Sequence, residues 1–167
     1  LSLAAGVHDI DVRAVRGPKT LEVLRNHNIN TSKVNRFFDP GCLMPYLFKD
    51  EIAEIKQKKD YVERDVCIIP HYRDDLLLHR NYPDLASRMV SVDCTPIDMI
   101  RNIIGSGRVI SSSLHGIIFA EALGIPAQWL QETGGEDDFK YFDYYFGTDR
   151  FEVKKFEDLR KAMSGTP

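Results

Sequence analysis

The clearest pattern in the chain is an apolar run in its second half, interrupted by a short polar cluster. Residues 109–110 predict a buried strand, and Gly116–Leu123 predicts a helix that is apolar on nearly every face. Gly124 predicts the end of this helix and Pro126 cannot continue it, so a second strand is expected at Ala127–Leu130. The pattern is that of a strand–loop–helix–strand unit, the repeating element of parallel α/β sheets.

The polar residues of this unit lie where the first strand enters the helix: Ser111, Ser112, Ser113, His115 and Gly116. Ligands of open parallel sheets bind at the carboxyl ends of strands, and the first N–H groups of a helix attract anions. The cluster therefore predicts an anion-binding site. A structural alternative stays open for each residue: Ser112 or Ser113 caps the helix, Gly116 allows close packing, and His115 is a buried core histidine.

Apolar runs and alternating apolar and polar positions predict further elements on both sides of this unit. Strands are expected at 9–15, 34–38, 66–69 and 89–92. Helices are expected at 18–26, 82–88, 96–104, 139–146 and 152–163. The alternation of strands and helices predicts an α/β fold with a doubly wound, mostly parallel, Rossmann-like sheet.

Two more polar clusters follow predicted strands. Arg16 comes after the strand at 9–15, and His71 and Arg73 come after the strand at 66–69. Because the carboxyl ends of parallel strands share one edge of a sheet, we expect all three side chains to bind the same anion as the serine and histidine cluster. For Arg16, the alternative is a surface salt bridge of little energetic value.

Composition and charge exclude several other classes of function. The 167-residue chain is 43% hydrophobic and 28% charged, and its net charge of −3 gives no reason to expect nucleic acid as a partner. Its three cysteines are not spaced as zinc ligands, which favours reduced thiols and a cytoplasmic location. We find no transmembrane stretch, signal peptide, metal-ligand motif or cofactor motif, so neither a metal nor a cofactor is expected.

Five segments, in this order along the chain, resemble the polysaccharide pyruvyl transferase family. They are Val15–Leu24, Phe37–Gly41, Ile68–Tyr72, Ser112–Ala127 and Phe139–Tyr145. The resemblance thus extends over most of the chain. One position departs from it, because many members have Arg-Leu-His-Gly where this chain has Ser113 followed by Leu114.

The resemblance implies transfer of a pyruvyl group from phosphoenolpyruvate to a sugar of an exopolysaccharide or its lipid-linked precursor, forming a ketal. It implies that His115 is catalytic, either delivering a proton or holding phosphate as imidazolium. The serines would donate hydrogen bonds to phosphate or carboxylate, and the arginines would neutralise charge. A lipid-linked acceptor would also be compatible with peripheral association with a membrane.

The family's architecture further implies a two-lobed, GT-B-like protein of which this chain is the later part. Residues 1–48 would end the N-terminal lobe, 49–64 would form a linker or hinge, and 65–167 would form the C-terminal Rossmann-like lobe. The first residue is Leu1 rather than Met, which agrees with a missing upstream segment.

Two other functions remain open from the sequence. A nucleotide-sugar glycosyltransferase of GT-B-like fold would use the same helix N-terminus to bind a diphosphate. A non-catalytic sugar-binding protein of the same pathway would bind the glycan without turnover.

Overall fold

The computed structural model describes residues 10–132 and 137–165, so the first nine residues of the predicted N-terminal segment lie outside the described range. The chain divides into two compact units. Within the described residues, the first unit comprises 10–39 and 137–153, and the sheet unit comprises 40–132 and 154–165.

The sheet unit is built on four parallel strands in the described part of the chain. They are β1 (Arg64–Ile69), β2 (Ser106–Ser111), β3 (Ala127–Leu130) and β4 (Lys155–Phe156). They are hydrogen-bonded in the order β1-β2-β3-β4, with Ile69 of β1 opposite Ser111 of β2. The α/β fold and the parallel Rossmann-like sheet are confirmed.

Helices connect the strands and cover the sheet. The α-helices of the described chain are α1 (Pro18–Asn26), α2 (Met44–Leu47), α3 (Lys49–Lys58), α4 (Asp75–Asn81), α5 (Pro96–Ile104), α6 (Leu114–Ala122), α7 (Phe139–Gly147) and α8 (Leu159–Ser164). Short 3₁₀-helices occupy Pro40–Leu43 and Pro83–Arg88.

Both faces of the sheet are buried under helices, which makes it doubly wound. On one face Ile68 and Ile110 pack with residues of α4 and α8, such as Leu78 and Leu159. On the other face, β1 and β2 residues pack with α5 and α6 residues such as Ile103. Strands covered on both sides are expected to be apolar throughout, as Val66–Ile69 is. Burial also raises the pKa of the Cys67 thiol to about 11.

The order in which the chain adds strands to the sheet reverses at β1. After α4 it reaches Met89, which forms a parallel bridge to Ile68 on the edge of β1 opposite β2. It then returns through α5 to β2, so the strand order corresponds to the 2-1-3-4-5 order of flavodoxin-like sheets. In such sheets the ligand crevice lies at the switch point, here between the carboxyl ends of β1 and β2.

Several predicted elements are confirmed and their local causes are visible. The strand Ala127–Leu130 and the helix Pro18–Asn26 have the predicted bounds. Thr95 caps α5 by accepting a hydrogen bond of 3.2 Å from the backbone N–H of Asp98. Helix α6 begins at Leu114, two residues earlier than predicted.

Four other predicted elements are wrong in extent or type. Within the described residues, which begin at 10, the strands predicted at 9–15 and 34–38 reduce to a single bridge, Val15 with Phe37, and the strand at 89–92 reduces to the Met89 bridge. Alternation predicts an extended segment but not whether a neighbouring strand offers it partners. The helix at 152–163 is instead β4 followed by α8, because β4 pairs with the sheet edge and Asp158 starts a new helix by accepting from Lys161 N–H at 2.8 Å.

The segment predicted as a linker, 49–64, contains α3 and belongs to the sheet unit. Ile55 on this helix is 3% exposed and packs in one cluster with Ile100 of α5. The predicted division of the chain into lobes at 48 and 64 stays a prediction.

The first unit packs α1 against α7 through two glycines. A Cβ on Gly17 would lie 1.8 Å from the carbonyl oxygen of Asp143, and a Cβ on Gly147 would lie 2.3 Å from the carbonyl oxygen of Arg16. Both distances are far shorter than any real contact, so the two helix segments approach this closely only because both positions are glycine.

Candidate functional site

A cleft of about 500 Å³ opens at the switch point of the sheet. We call it the histidine cleft; its lining residues are Ile69, His71, Tyr72, Val92, Met99, Ser113, His115, Gly116 and Phe119. The segments that follow β1 and β2 thus bring together His71, Ser113, His115 and Gly116, four of the residues that the sequence predicts for the site.

Ser111 and Ser112 lie beneath this cleft and hold the two strand ends together. The Ser111 hydroxyl lies 2.7 Å from the carbonyl oxygen of Ile69 and 2.9 Å from that of Ser113, and it accepts from the Ser113 N–H at 3.0 Å. The Ser112 hydroxyl accepts from the backbone N–H of His71 at 2.9 Å. Both serines are almost fully buried, so these contacts give them a positioning role.

His71 is fixed by its backbone and by its ring. Its side chain is buried to 9% exposure at the end of β1, and its ring centroid lies 4.3 Å from that of Tyr72. The backbone N–H of Arg73 donates to His71 Nδ1 at 3.3 Å. Nδ1 is the acceptor in this contact.

The N-terminus of α6 forms one wall of the cleft. Ser113 occupies the N-cap position but its hydroxyl makes no capping hydrogen bond, which contradicts the capping alternative for this residue. The N–H groups of Leu114, His115 and Gly116 belong to the first turn, where backbone donors lack an intrahelical acceptor. The partial positive charge of this helix end favours an anion in the cleft.

Gly116 has a clear packing reason to be glycine. A Cβ at this position would lie 2.3 Å from Ser111 Oγ and 3.1 Å from Ile69 Cγ2. Glycine therefore allows the first turn of α6 to lie directly on the ends of β1 and β2, so the close-packing alternative is correct for this residue.

His115 is an exposed residue in the first turn of α6, so the alternative of a buried core histidine is wrong. Its ring centroid lies 5.7 Å from that of Phe119, one helical turn further along. An exposed imidazole beside a helix N-terminus is accessible to a ligand and to solvent protons. Its predicted catalytic role stays a prediction.

Arg73 lies beside the cleft rather than among its lining residues. Its guanidinium carbon is 5.4 Å from the Tyr72 ring centroid, and its Nε donates to Tyr72 Oη at 2.9 Å. Because Tyr72 lines the cleft, the cation of Arg73 is held next to that lining side chain.

Arg16 belongs to the first unit, where its contacts are internal. Its Nε donates to Asp39 Oδ2 at 2.7 Å, and the Asp39 side chain is 2% exposed. The N-terminus of α1 also holds an internal carboxylate, because Asp143 accepts from the N–H of Thr20 at 3.0 Å and from its hydroxyl at 2.5 Å. The predicted anion-binding role of Arg16 stays a prediction beside this structural one.

Sequence reasoning missed the aromatic and apolar part of the site: Ile69, Tyr72, Val92, Met99 and Phe119. Two of them carried a usable signal. Tyr72 directly follows His71 in the sequence. Phe119 is four positions after His115, and this spacing places His115 and Phe119 on the same face of α6.

Residues 10–132 and 137–165 contain no group of three or more His, Cys, Asp or Glu side chains arranged to hold a metal ion. None of the helices within these ranges combines the length and apolar character that crossing a membrane requires.

Comparison with known proteins places the chain in a family. It is 33% identical over 159 residues to the uncharacterized protein L143 of Acanthamoeba polyphaga mimivirus, an alignment that includes 88% of this chain and 52% of that protein. The chain therefore spans about half the length of this relative. No solved structure matches the chain. The family profile described as polysaccharide pyruvyl transferase matches residues 7–131, three quarters of the chain. The chain belongs to the polysaccharide pyruvyl transferase family.

Proposed function

We propose that this chain supplies the donor-binding part of a transferase that moves a pyruvyl group from phosphoenolpyruvate to a sugar of a polysaccharide or its precursor. The observation that carries the proposal is the histidine cleft itself. At the switch point of the sheet, the α6 N-terminus, Ser113 and two histidines converge on a space of about 500 Å³. Family membership supports the pyruvyl chemistry.

The proposed reaction converts phosphoenolpyruvate and two sugar hydroxyls into a cyclic ketal and inorganic phosphate. One hydroxyl oxygen bonds to C2 of the donor and gives up its proton, and a proton is delivered to the donor's C3 methylene, which becomes a methyl group. The second hydroxyl oxygen then bonds to C2 as the C2–O bond to phosphate breaks. The phosphate leaves with the electron pair of that bond, and the remaining hydroxyl proton leaves as well.

The cleft residues fit these steps. The first N–H groups of α6 and the Ser113 hydroxyl would bind the phosphate and stabilise the charge that develops as it departs. The His71 ring would donate a hydrogen bond to the donor's carboxylate or phosphate. His115, exposed at the same helix end, is the group we assign to proton delivery.

A thermal-protection measurement tests the proposal. The full chain would be heated with phosphoenolpyruvate, inorganic phosphate, a nucleotide sugar or an oligosaccharide, each over a range of concentrations. A ligand at one hundred times its Kd stabilises the folded state by about 2.7 kcal/mol. We expect phosphoenolpyruvate to raise the melting temperature more than phosphate does, and the His115→Gln variant to show a smaller rise.

The other outcomes separate the alternatives. Protection by a nucleotide sugar without protection by phosphoenolpyruvate would contradict the proposal and assign the cleft to glycosyl transfer. Protection by an oligosaccharide alone would indicate a non-catalytic sugar-binding protein.

A further inference from the structure

A second cavity, of about 350 Å³, adjoins the histidine cleft. We call it the apolar cavity; it is lined by Pro40, Gly41, Met44, Leu47, Phe48, Val92, Cys94, Pro96, Met99 and Phe119. These residues come from the first turns of the sheet unit, from the approach to α5 and from α6. Its volume lies in the range of pockets that bind small organic ligands.

The two spaces lie side by side. Val92, Met99 and Phe119 line both of them, so these three side chains stand between a polar space and an apolar one. An elongated ligand that passes over these side chains can place one part beside His71 and His115 and another part in the apolar cavity.

The lining chemistry restricts what the apolar cavity can hold. Its lining side chains include no charged group, and a sugar hydroxyl or phosphate placed there would lose its hydrogen bonds to water without adequate replacement. An aliphatic chain has the opposite preference, because each CH₂ group removed from water contributes favourably to binding.

The surface at the cavity entrance is also apolar. Leu47 lines the cavity and is 65% exposed, and Tyr46 beside it on α2 is 75% exposed. Leu43, one residue before α2, is exposed as well. Adjacent exposed apolar residues of this kind commonly mark a binding surface rather than inert surface.

We propose that the apolar cavity binds the aliphatic chain of a glycolipid acceptor whose sugar lies in the histidine cleft. The placement of the sugar rests on the proposed function, whereas the binding of the chain rests only on the cavity. The acceptor would then be recognised at two points, its hydroxyls in the histidine cleft and its chain between α2, α5 and α6.

The test is isothermal titration of the full chain with methyl, butyl and octyl glucoside, each below its critical micelle concentration and in the presence of phosphoenolpyruvate. We expect affinity to rise with each added CH₂, up to about fourfold per group for complete burial. Leu47→Asp, which places a charge at an exposed lining position, should abolish most of this increase. Leu76→Asp is the matched control, because Leu76 is 85% exposed on α4 and lines neither space, and it should retain the increase.

Equal affinity for the three glucosides would overturn the proposal, as would equal effects of the two variants. Sedimentation of the full chain as a dimer that Leu47→Asp dissociates, with no dependence on chain length, would assign the surface to a second copy and also overturn it. Failure of the proposed function is separable: phosphoenolpyruvate would not bind, while the dependence on chain length would remain.

Discussion

Arg16 donates a hydrogen bond of 2.7 Å from Nε to Oδ2 of Asp39, a carboxylate that is 2% exposed. The arginine side chain itself is 30% exposed, so the pair joins a buried anion to a partly solvated cation. Removing the arginine takes a charged partner away from a buried carboxylate, which usually costs more than the loss of a surface ion pair.

We therefore predict that Arg16→Ala lowers the free energy of unfolding by about 2 kcal/mol. Chemical denaturation would measure it, with Arg13→Ala as the matched control. Arg13 pairs with Asp11 across exposed surface, with side chains 76% and 44% exposed, so its loss should cost less than ~1 kcal/mol. If Arg16→Ala leaves stability unchanged and weakens the binding of phosphoenolpyruvate, the predicted anion-binding role of Arg16 is supported instead.

A second prediction concerns Gly116, which allows the first turn of α6 to lie on the ends of β1 and β2. Gly116→Ala should destabilise the fold by about 2 kcal/mol, because its Cβ would lie 2.3 Å from Ser111 Oγ and the helix would have to shift. The double variant Gly116→Ala with Ser111→Ala should lose less stability than the sum of the two single variants, since the shortest contact is absent when Ser111 has no hydroxyl. Strictly additive losses in the denaturation midpoints of the single and double variants would disprove this coupling.

Ser112 is expected to act through His71 rather than on the ligand. Ser112→Ala removes the acceptor of the His71 N–H, which should cost about 1–2 kcal/mol of stability and weaken donor binding by loosening the loop. Ser112→Thr keeps the hydroxyl and should restore donor affinity measured by titration. If Ser112→Ala binds phosphoenolpyruvate as tightly as the unaltered chain, the serine does not position His71 for the ligand.

Ser113 marks the departure of this chain from the arginine that many family members carry. We predict that Ser113→Arg increases the affinity for phosphoenolpyruvate about tenfold, because a cation is added to a position that lines the cleft and a hydrogen bond to a charged group is stronger than a neutral one. Ser113→Gln, which also adds N–H donors but no charge, is the control. Equal affinities of the two variants would show that the cleft does not bind the anion near this residue.

The sequence was informative where structure depends on neighbouring residues. The α6 segment and β3 were predictable because Gly124 and Pro126 end the helix locally. The meeting of His71, Ser113, His115 and Gly116 in one cleft was predictable, because parallel strands place their carboxyl ends together. The exposure of His115 was not predictable from the sequence. The helix around it is apolar, which predicts burial, but the first turn of that helix faces a cleft.

Long-range pairing explains most of what the sequence did not reveal. Asp39 is 23 positions from Arg16 and Asp143 is 123 positions from Thr20, so no local pattern indicates that carboxylates meet Arg16 and the α1 N-terminus. The buried bonds of Ser111 and Ser112 likewise depend on β1, about 42 positions earlier. The residue type of these serines predicted hydrogen bonds to a ligand. Their hydrogen bonds to Ile69 and His71 show instead that they hold the ends of the strands together.

The central claim is that the donor's phosphate binds the first turn of α6 in the histidine cleft. It is tested most directly by titrating the isotope-labelled chain with phosphoenolpyruvate and following the backbone amide resonances by nuclear magnetic resonance. We predict that the largest shifts occur at Leu114, His115 and Gly116 and that His115→Gln leaves the binding position unchanged while weakening affinity. Shifts concentrated instead at Arg16 and the first turn of α1, or no saturable shifts at all, would contradict the account.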